Sequence, residues 1–118
     1  MDQVYGYDTG ADIPVQHQDD MVVVRPTGEL DIDRATGLKR VLLAELARTP
    51  QPGRLVVDMT GVTFCDSTGL NALLTARRQA GDQNVPLVLS GARDQFLRLL
   101  ELTDTLLLFT LEPAPPVV

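Results

Sequence analysis

Three polar residues in a row, Asp66-Ser67-Thr68, stand between an apolar run and a second run with helical spacing. Each is a good helix N-cap, and Gly69 follows them directly. One such residue satisfies a helix start; three leave a hydroxyl to spare. A hydroxyl there lies at the positive end of a helix dipole, beside backbone N–H groups without intrahelical partners. That environment favours an anion, so the turn is a place where a phosphate can be put on and taken off. A second polar stretch, Thr27 to Asp33, carries Gly28 and the carboxylates Asp31 and Asp33, either of which can cap the helix that follows.

The elements that position these residues are legible as periodicity. Pro14–Gln18 and Met21–Pro26 read as two strands joined by the Asp19-Asp20 turn, hence an antiparallel hairpin. Apolar residues at 35, 38, 41, 42 and 46 mark an amphipathic helix that stops before Pro50-Gln51-Pro52-Gly53. Arg54–Met59 reads as a buried strand. Leu70–Arg78 continues as a helix, with Gly81 as its expected C′ residue. Val85–Ser90 is a further buried strand and Arg93–Leu102 a third helix with a wide apolar stripe. Leu106–Leu111 reads as the last strand. Residues 1–13 lack periodicity and are expected to be a flexible leader, and 113–118 a Pro-rich tail. The order predicts a single α/β domain over 14–112: a mostly parallel mixed sheet of about five strands, an N-terminal antiparallel strand, and helices packed on it. In such sheets partners approach beyond the carboxyl ends of the strands. If the strands before the two polar turns are neighbours, Asp31, Asp66 and Ser67 share one surface.

Composition excludes much. The 118 residues suffice for one core, and the 44% hydrophobic and 22% charged content is ordinary for a globular chain. No apolar run reaches the roughly 20 residues a bilayer demands, and the N-terminus lacks the pattern of a signal peptide, so a cytoplasmic protein is expected. A net charge of −6 with scattered basic residues opposes nucleic-acid binding. Cys65 is the single cysteine and His17 the single histidine. The first reads as a small buried residue and the second as a solvated residue on an edge strand. A Ser-His-Asp hydrolase would need a histidine near Ser67, and the G-x-S-x-G elbow and the Gly-rich phosphate loops are missing. An Mg²⁺ site from Asp31, Asp58 and Asp66 would require Asp58 to leave a buried strand. No catalytic residue, metal ligand or cofactor is expected.

Gly28-Glu29-Leu30-Asp31, then Val62-Thr63-Phe64-Cys65-Asp66-Ser67-Thr68-Gly69-Leu70, then Leu87-Val88-Leu89-Ser90-Gly91 together resemble the STAS domain of anti-sigma factor antagonists, over about residues 14 to 111. The resemblance implies that Ser67 is the serine phosphorylated by a partner anti-sigma factor that is also a protein kinase. It implies further that the unphosphorylated form binds that kinase and frees the sigma factor, that phosphorylation ends the binding, and that a PP2C-like phosphatase restores it. ATP and Mg²⁺ would belong to the kinase. Asp31, Asp66, Thr68 and Gly69 match the partner-binding positions beside the serine, and Thr68 is the lesser acceptor. Many relatives carry a further helix after the last strand, where this chain has its Pro-rich tail. A second role open to a STAS domain is that of scaffold or accessory subunit, in a signalling assembly or a lipid-transport complex; the intact Ser67 favours the first.

Overall fold

A computed structural model describes residues 3–7 and 13–113. Eight strands and three helices follow one another as β1 (Gln3–Tyr7), β2 (Pro14–Gln18), β3 (Met21–Val24), β4 (Gly28–Leu30), α1 (Ile32–Leu46), β5 (Arg54–Asp58), β6 (Val62–Cys65), α2 (Ser67–Asp82), β7 (Leu87–Ser90), α3 (Asp94–Leu102) and β8 (Thr110–Glu112), with one 3₁₀ turn at Leu106–Leu108. The main sheet has six strands in the order β1-β2-β3-β5-β7-β8. The first three pair antiparallel and the remainder parallel. The α/β fold class is as the alternation of elements predicts, with one strand more than expected.

That strand comes from the leader. Gln3–Tyr7 pairs antiparallel with β2, from Gln3↔His17 to Tyr7↔Pro14, so part of the segment read as flexible extends the sheet. Residues 114–118 of the tail lie outside the described residues. Because β1 covers it, β2 is no edge strand. His17 is half-buried, and its Nε2 lies 2.7 Å from Oε1 of Glu45 in α1. The last strand also differs: the leucine run at 106–108 turns as a 3₁₀ helix, and pairing with β7 begins only at Thr110. Helix α2 runs past Gly81 to Asp82 and is capped at Gln83, and the left-handed residue is Asn84 (φ 58°).

The register places the core. Val22, Leu55 and Leu87 sit side by side, as do Val24, Val57 and Leu89. These point toward the helices and join Leu38, Leu42, Leu46, Leu73, Ala76 and Leu100 in one buried cluster. The intervening Val23, Val56 and Val88 form a smaller apolar strip on the opposite face. Three consecutive strands apolar on both faces explain the unbroken runs in the sequence.

The feature that matters for function is a second, two-stranded sheet. Strands β4 and β6 pair in parallel, Glu29 opposite Phe64 and Leu30 opposite Cys65. Neither is among the strands expected from the sequence: β4 lies within the polar stretch Thr27–Asp33, and β6 directly precedes Asp66-Ser67-Thr68. The pairing continues one step beyond the ladder, where the Asp66 N–H donates to the Leu30 carbonyl at 3.2 Å. Parallel strands that end level start their following helices level. Helices α1 and α2 therefore begin side by side and pack along their length.

Candidate functional site

Both helix starts are built alike. Asp31 caps α1 with extended backbone (φ −106°, ψ −171°), and its Oδ1 accepts the N–H groups of Asp33 and Arg34 at 3.1 and 3.3 Å. Asp66 caps α2 (φ −101°, ψ −172°), and its Oδ1 accepts the N–H groups of Thr68 and Gly69 at 2.9 and 3.2 Å. The Thr68 hydroxyl also donates to that oxygen. This hydroxyl bond, followed by the Gly69 N–H, holds the Asp66 carboxyl below its usual range.

The turn thereby sorts its own hydroxyls. Thr68 spends its proton on Asp66 and is half-buried, whereas Ser67 is exposed at the first helical position. Among the described residues no hydrogen bond holds the Ser67 hydroxyl. Gly69 is buried because helix α2 lies close to the β4–β6 pair: a Cβ there would stand 2.7 Å from Cys65 Sγ and 2.8 Å from the Leu30 carbonyl oxygen. Of the predicted site residues, Asp31, Asp66, Ser67 and Thr68 are gathered at one surface by the parallel ladder, and Gly69 lies beneath them as a packing residue.

Behind the turn, β6 is locked on its other edge. The Gln95 amide of α3 accepts from the Cys65 N–H and donates to the Cys65 carbonyl, both at 2.9 Å. Burial, and secondarily the Asp66 charge, pushes the Cys65 thiol up to about 12. It stays a neutral packing group, as read from the sequence.

No metal site forms among the described residues. Asp58 is buried at the end of β5, where it faces Arg25 Nε at 3.3 Å and accepts the Thr60 N–H at 3.0 Å. It is used structurally and cannot join Asp31 and Asp66 around an ion. No helix among the described residues is long and apolar enough to cross a membrane.

Two residues near the serine escaped the sequence reading. Ile32, the first residue of α1, is 69% exposed, and Phe64 of β6 is 43% exposed. An isoleucine flanked by Asp31 and Asp33 at a helix start was the available signal, since neither core nor cap requires it there.

The family model described as "Mlab, STAS domain" matches residues 13–105, which include both turns. The chain belongs to the STAS-domain family. This STAS domain is 32% identical over 92 residues to the anti-sigma-B factor antagonist of Listeria monocytogenes, covering 77% of this chain and 79% of that one. Among solved structures, an anti-sigma factor antagonist from Mycobacterium paratuberculosis is 25% identical, with a TM-score of 0.74 over 97% of this chain and 87% of that one. The STAS fold is shared at lower identity with the anti-sigma factor antagonist SpoIIAA of Bacillus, solved in unphosphorylated form (13% identity, TM-score 0.67, covering 98% and 90%) and in phosphorylated form (14%, 0.69, covering 86% and 91%).

Proposed function

We propose that this STAS domain is an anti-sigma factor antagonist that works as a phosphorylation switch in the cytoplasm. Unphosphorylated, it binds an anti-sigma factor with serine kinase activity and releases the sigma factor; phosphorylation of Ser67 ends that binding, and a PP2C-like phosphatase resets it. The chain is then the substrate of two enzymes and catalyses nothing itself. ATP and Mg²⁺ come with the kinase.

The observation that carries the reading is the division of labour at the turn. Asp66 caps the helix and Thr68 is tied to Asp66, which leaves Ser67 as the exposed, unengaged hydroxyl. The names of the relatives support it: antagonists of anti-sigma factors, one of them solved with and without phosphate.

Physics supplies the switch. A phosphate adds about −1.5 to −2 charges, and a helix N-terminus tolerates it through the dipole and free N–H groups. The fold is therefore unaffected. Inside a desolvated interface the same charge, next to Asp66 and across from Asp31, costs on the order of several kcal/mol. Since about 1.4 kcal/mol is tenfold in affinity, that releases a partner.

The test is incubation with the serine-kinase anti-sigma factor of the same organism and Mg-ATP, followed by intact-mass and fragment analysis. One phosphate at Ser67 is expected, with Ser67→Ala still bound by the kinase and Ser67→Asp bound at least tenfold more weakly. Modification at another residue, none at all, or equal affinities of the two variants overturns the reading.

A further inference from the structure

Three leucines stand out from the surface well away from Ser67. Leu102 ends α3 at 72% exposed, and Leu107 and Leu108 follow in the 3₁₀ turn at 96% and 43%. The core does not use them; Leu106 is the leucine of the turn that packs inward. The turn itself is braced on both sides. The Thr105 N–H donates to the Leu100 carbonyl of α3 at 2.9 Å, and Arg77 Nε of α2 donates to the Leu108 carbonyl. Ser67 opens α2, and Arg77 lies about 15 Å further along that helix at ~1.5 Å per residue. The leucines are thus presented on a fixed turn between two helix ends, where covering them costs little ordering.

The charges around this patch are arranged by sign. On the α2 side stand Arg77 and Arg78; on the α3 side stand Glu101 and, just after the helix, Asp104. All four are exposed, and among the described residues no ion pair engages Arg78, Glu101 or Asp104. One turn away, Asp82 on α2 and Arg98 on α3 repeat the opposition with the signs exchanged. A two-fold axis through Leu107 lays each side of one copy on the opposite side of the other, so that unlike charges meet twice. With as many acids as bases at its rim, the patch gives an anionic bilayer nothing to hold.

We infer that this patch pairs with the same patch of a second copy of the chain, with Leu107 near the axis and Arg78 of each copy facing Glu101 of the other. Apolar anchors at the centre and charges at the rim are the anatomy of a specific contact. Three leucines make a small one, so a dissociation constant on the order of 10–100 µM is expected. The inference goes beyond the antagonist reading and does not depend on it. A dimer joined here leaves both Ser67 turns free, and a partner with two sites would be held through both at once.

The experiment is sedimentation equilibrium of the full chain at concentrations up to about 500 µM, well above the expected midpoint. The variants are Leu107→Asp, Arg78→Glu and Glu101→Arg, all at exposed positions, so melting curves should stay close to wild type. Wild type is expected to dimerise, and each variant alone to associate at least tenfold more weakly. The equimolar mixture of Arg78→Glu with Glu101→Arg is the decisive arm. One chain then brings two acids to the contact and the other two bases, so the mixed pair is complementary at both places. Its affinity should return to within threefold of wild type. A monomeric wild type overturns the assignment, and pelleting of that monomer with phosphatidylglycerol vesicles would give the patch to a bilayer instead. A dimer that survives Leu107→Asp, or a mixture no tighter than its separate components, overturns it equally.

Discussion

The starts of α1 and α2 are the same piece of architecture used twice. Leu30-Asp31-Ile32-Asp33-Arg34 and Cys65-Asp66-Ser67-Thr68-Gly69 each leave a short parallel strand, turn through an extended aspartate and enter a helix. Backbone angles of the two caps agree within 5°. The shared frame therefore accounts for the aspartate at each cap position. What differs is what stands on the shared frame. At the first helical position one turn has isoleucine and the other serine; at the third, one has Arg34 and the other Gly69. The Arg34 guanidinium reaches back to the Thr27 carbonyl, whereas Gly69 brings α2 onto β4 and β6. Comparing the turns position by position separates what builds the domain from what equips its surface.

The largest effect of this comparison belongs to Gly69. In Gly69→Ala the new methyl meets the Leu30 carbonyl and Cys65 Sγ below 3.0 Å, and a carbonyl cannot step aside without breaking the β4–β6 pairing. A loss of about 2 kcal/mol is expected, in the range for overpacking a closed site. Arg34→Ala, at the equivalent place on α1, has no such contact to relieve or create and should cost less than half as much. Urea unfolding of both variants measures the difference, and equal losses would mean that the two helix starts are packed alike after all.

Next come the caps. Asp31→Ala is expected to cost about 1 kcal/mol, the usual loss of an N-cap side chain. Asp66→Ala should cost more, because its carboxylate also takes the Thr68 hydroxyl and that hydroxyl is left without its acceptor. In Thr68→Val the excess should vanish, so that Asp66→Ala in that background resembles Asp31→Ala. The same bond predicts a pH dependence. The Asp66 carboxyl is held below the usual carboxylate range when folded, so its contribution to stability is fully present above that range. It is lost as pH falls from the usual carboxylate range toward the lower folded value. The gap in melting temperature between wild type and Asp66→Asn should close over that interval, and a gap that widens on acidification would reverse the sign of the assignment.

Which parts of this could be read in advance follows from the length of the signals. Strands β3, β5 and β7 and all three helices carry at least one full period of apolar residues, and the cap residues declare their own chemistry. Strands β4 and β6 have three and four residues and exist because they pair with each other, so Thr27–Asp33 and the start of Val62–Leu70 looked like loop. The Leu106–Leu108 run has strand composition, yet Leu107 is 96% exposed: three leucines entering a 3₁₀ turn cannot alternate between faces as a strand would. Asp31, Asp66 and Ser67 were recognisable one at a time. That they meet depended on β4 pairing with β6, a contact made between residues 35 positions apart, Leu30 opposite Cys65, outside the reach of any local pattern.

The smallest effect is the one that discriminates best between structure and function. Ser67 and Ile32 hold the same position on twin helices, and both are exposed. A serine there adds no cap, since Asp66 already fills that role. Ser67→Ala should therefore change folding stability by less than about 0.5 kcal/mol, the range for a surface site without a special contact. Ile32→Ala should do likewise, because the side chain loses little burial. If so, the residues on which the two turns differ at their first position contribute almost nothing to the fold, and their chemistry is maintained for a partner. A loss of 1 kcal/mol or more in Ser67→Ala would instead give the hydroxyl a structural bond, and the extra cap residue in Asp66-Ser67-Thr68 would be explained without any phosphate.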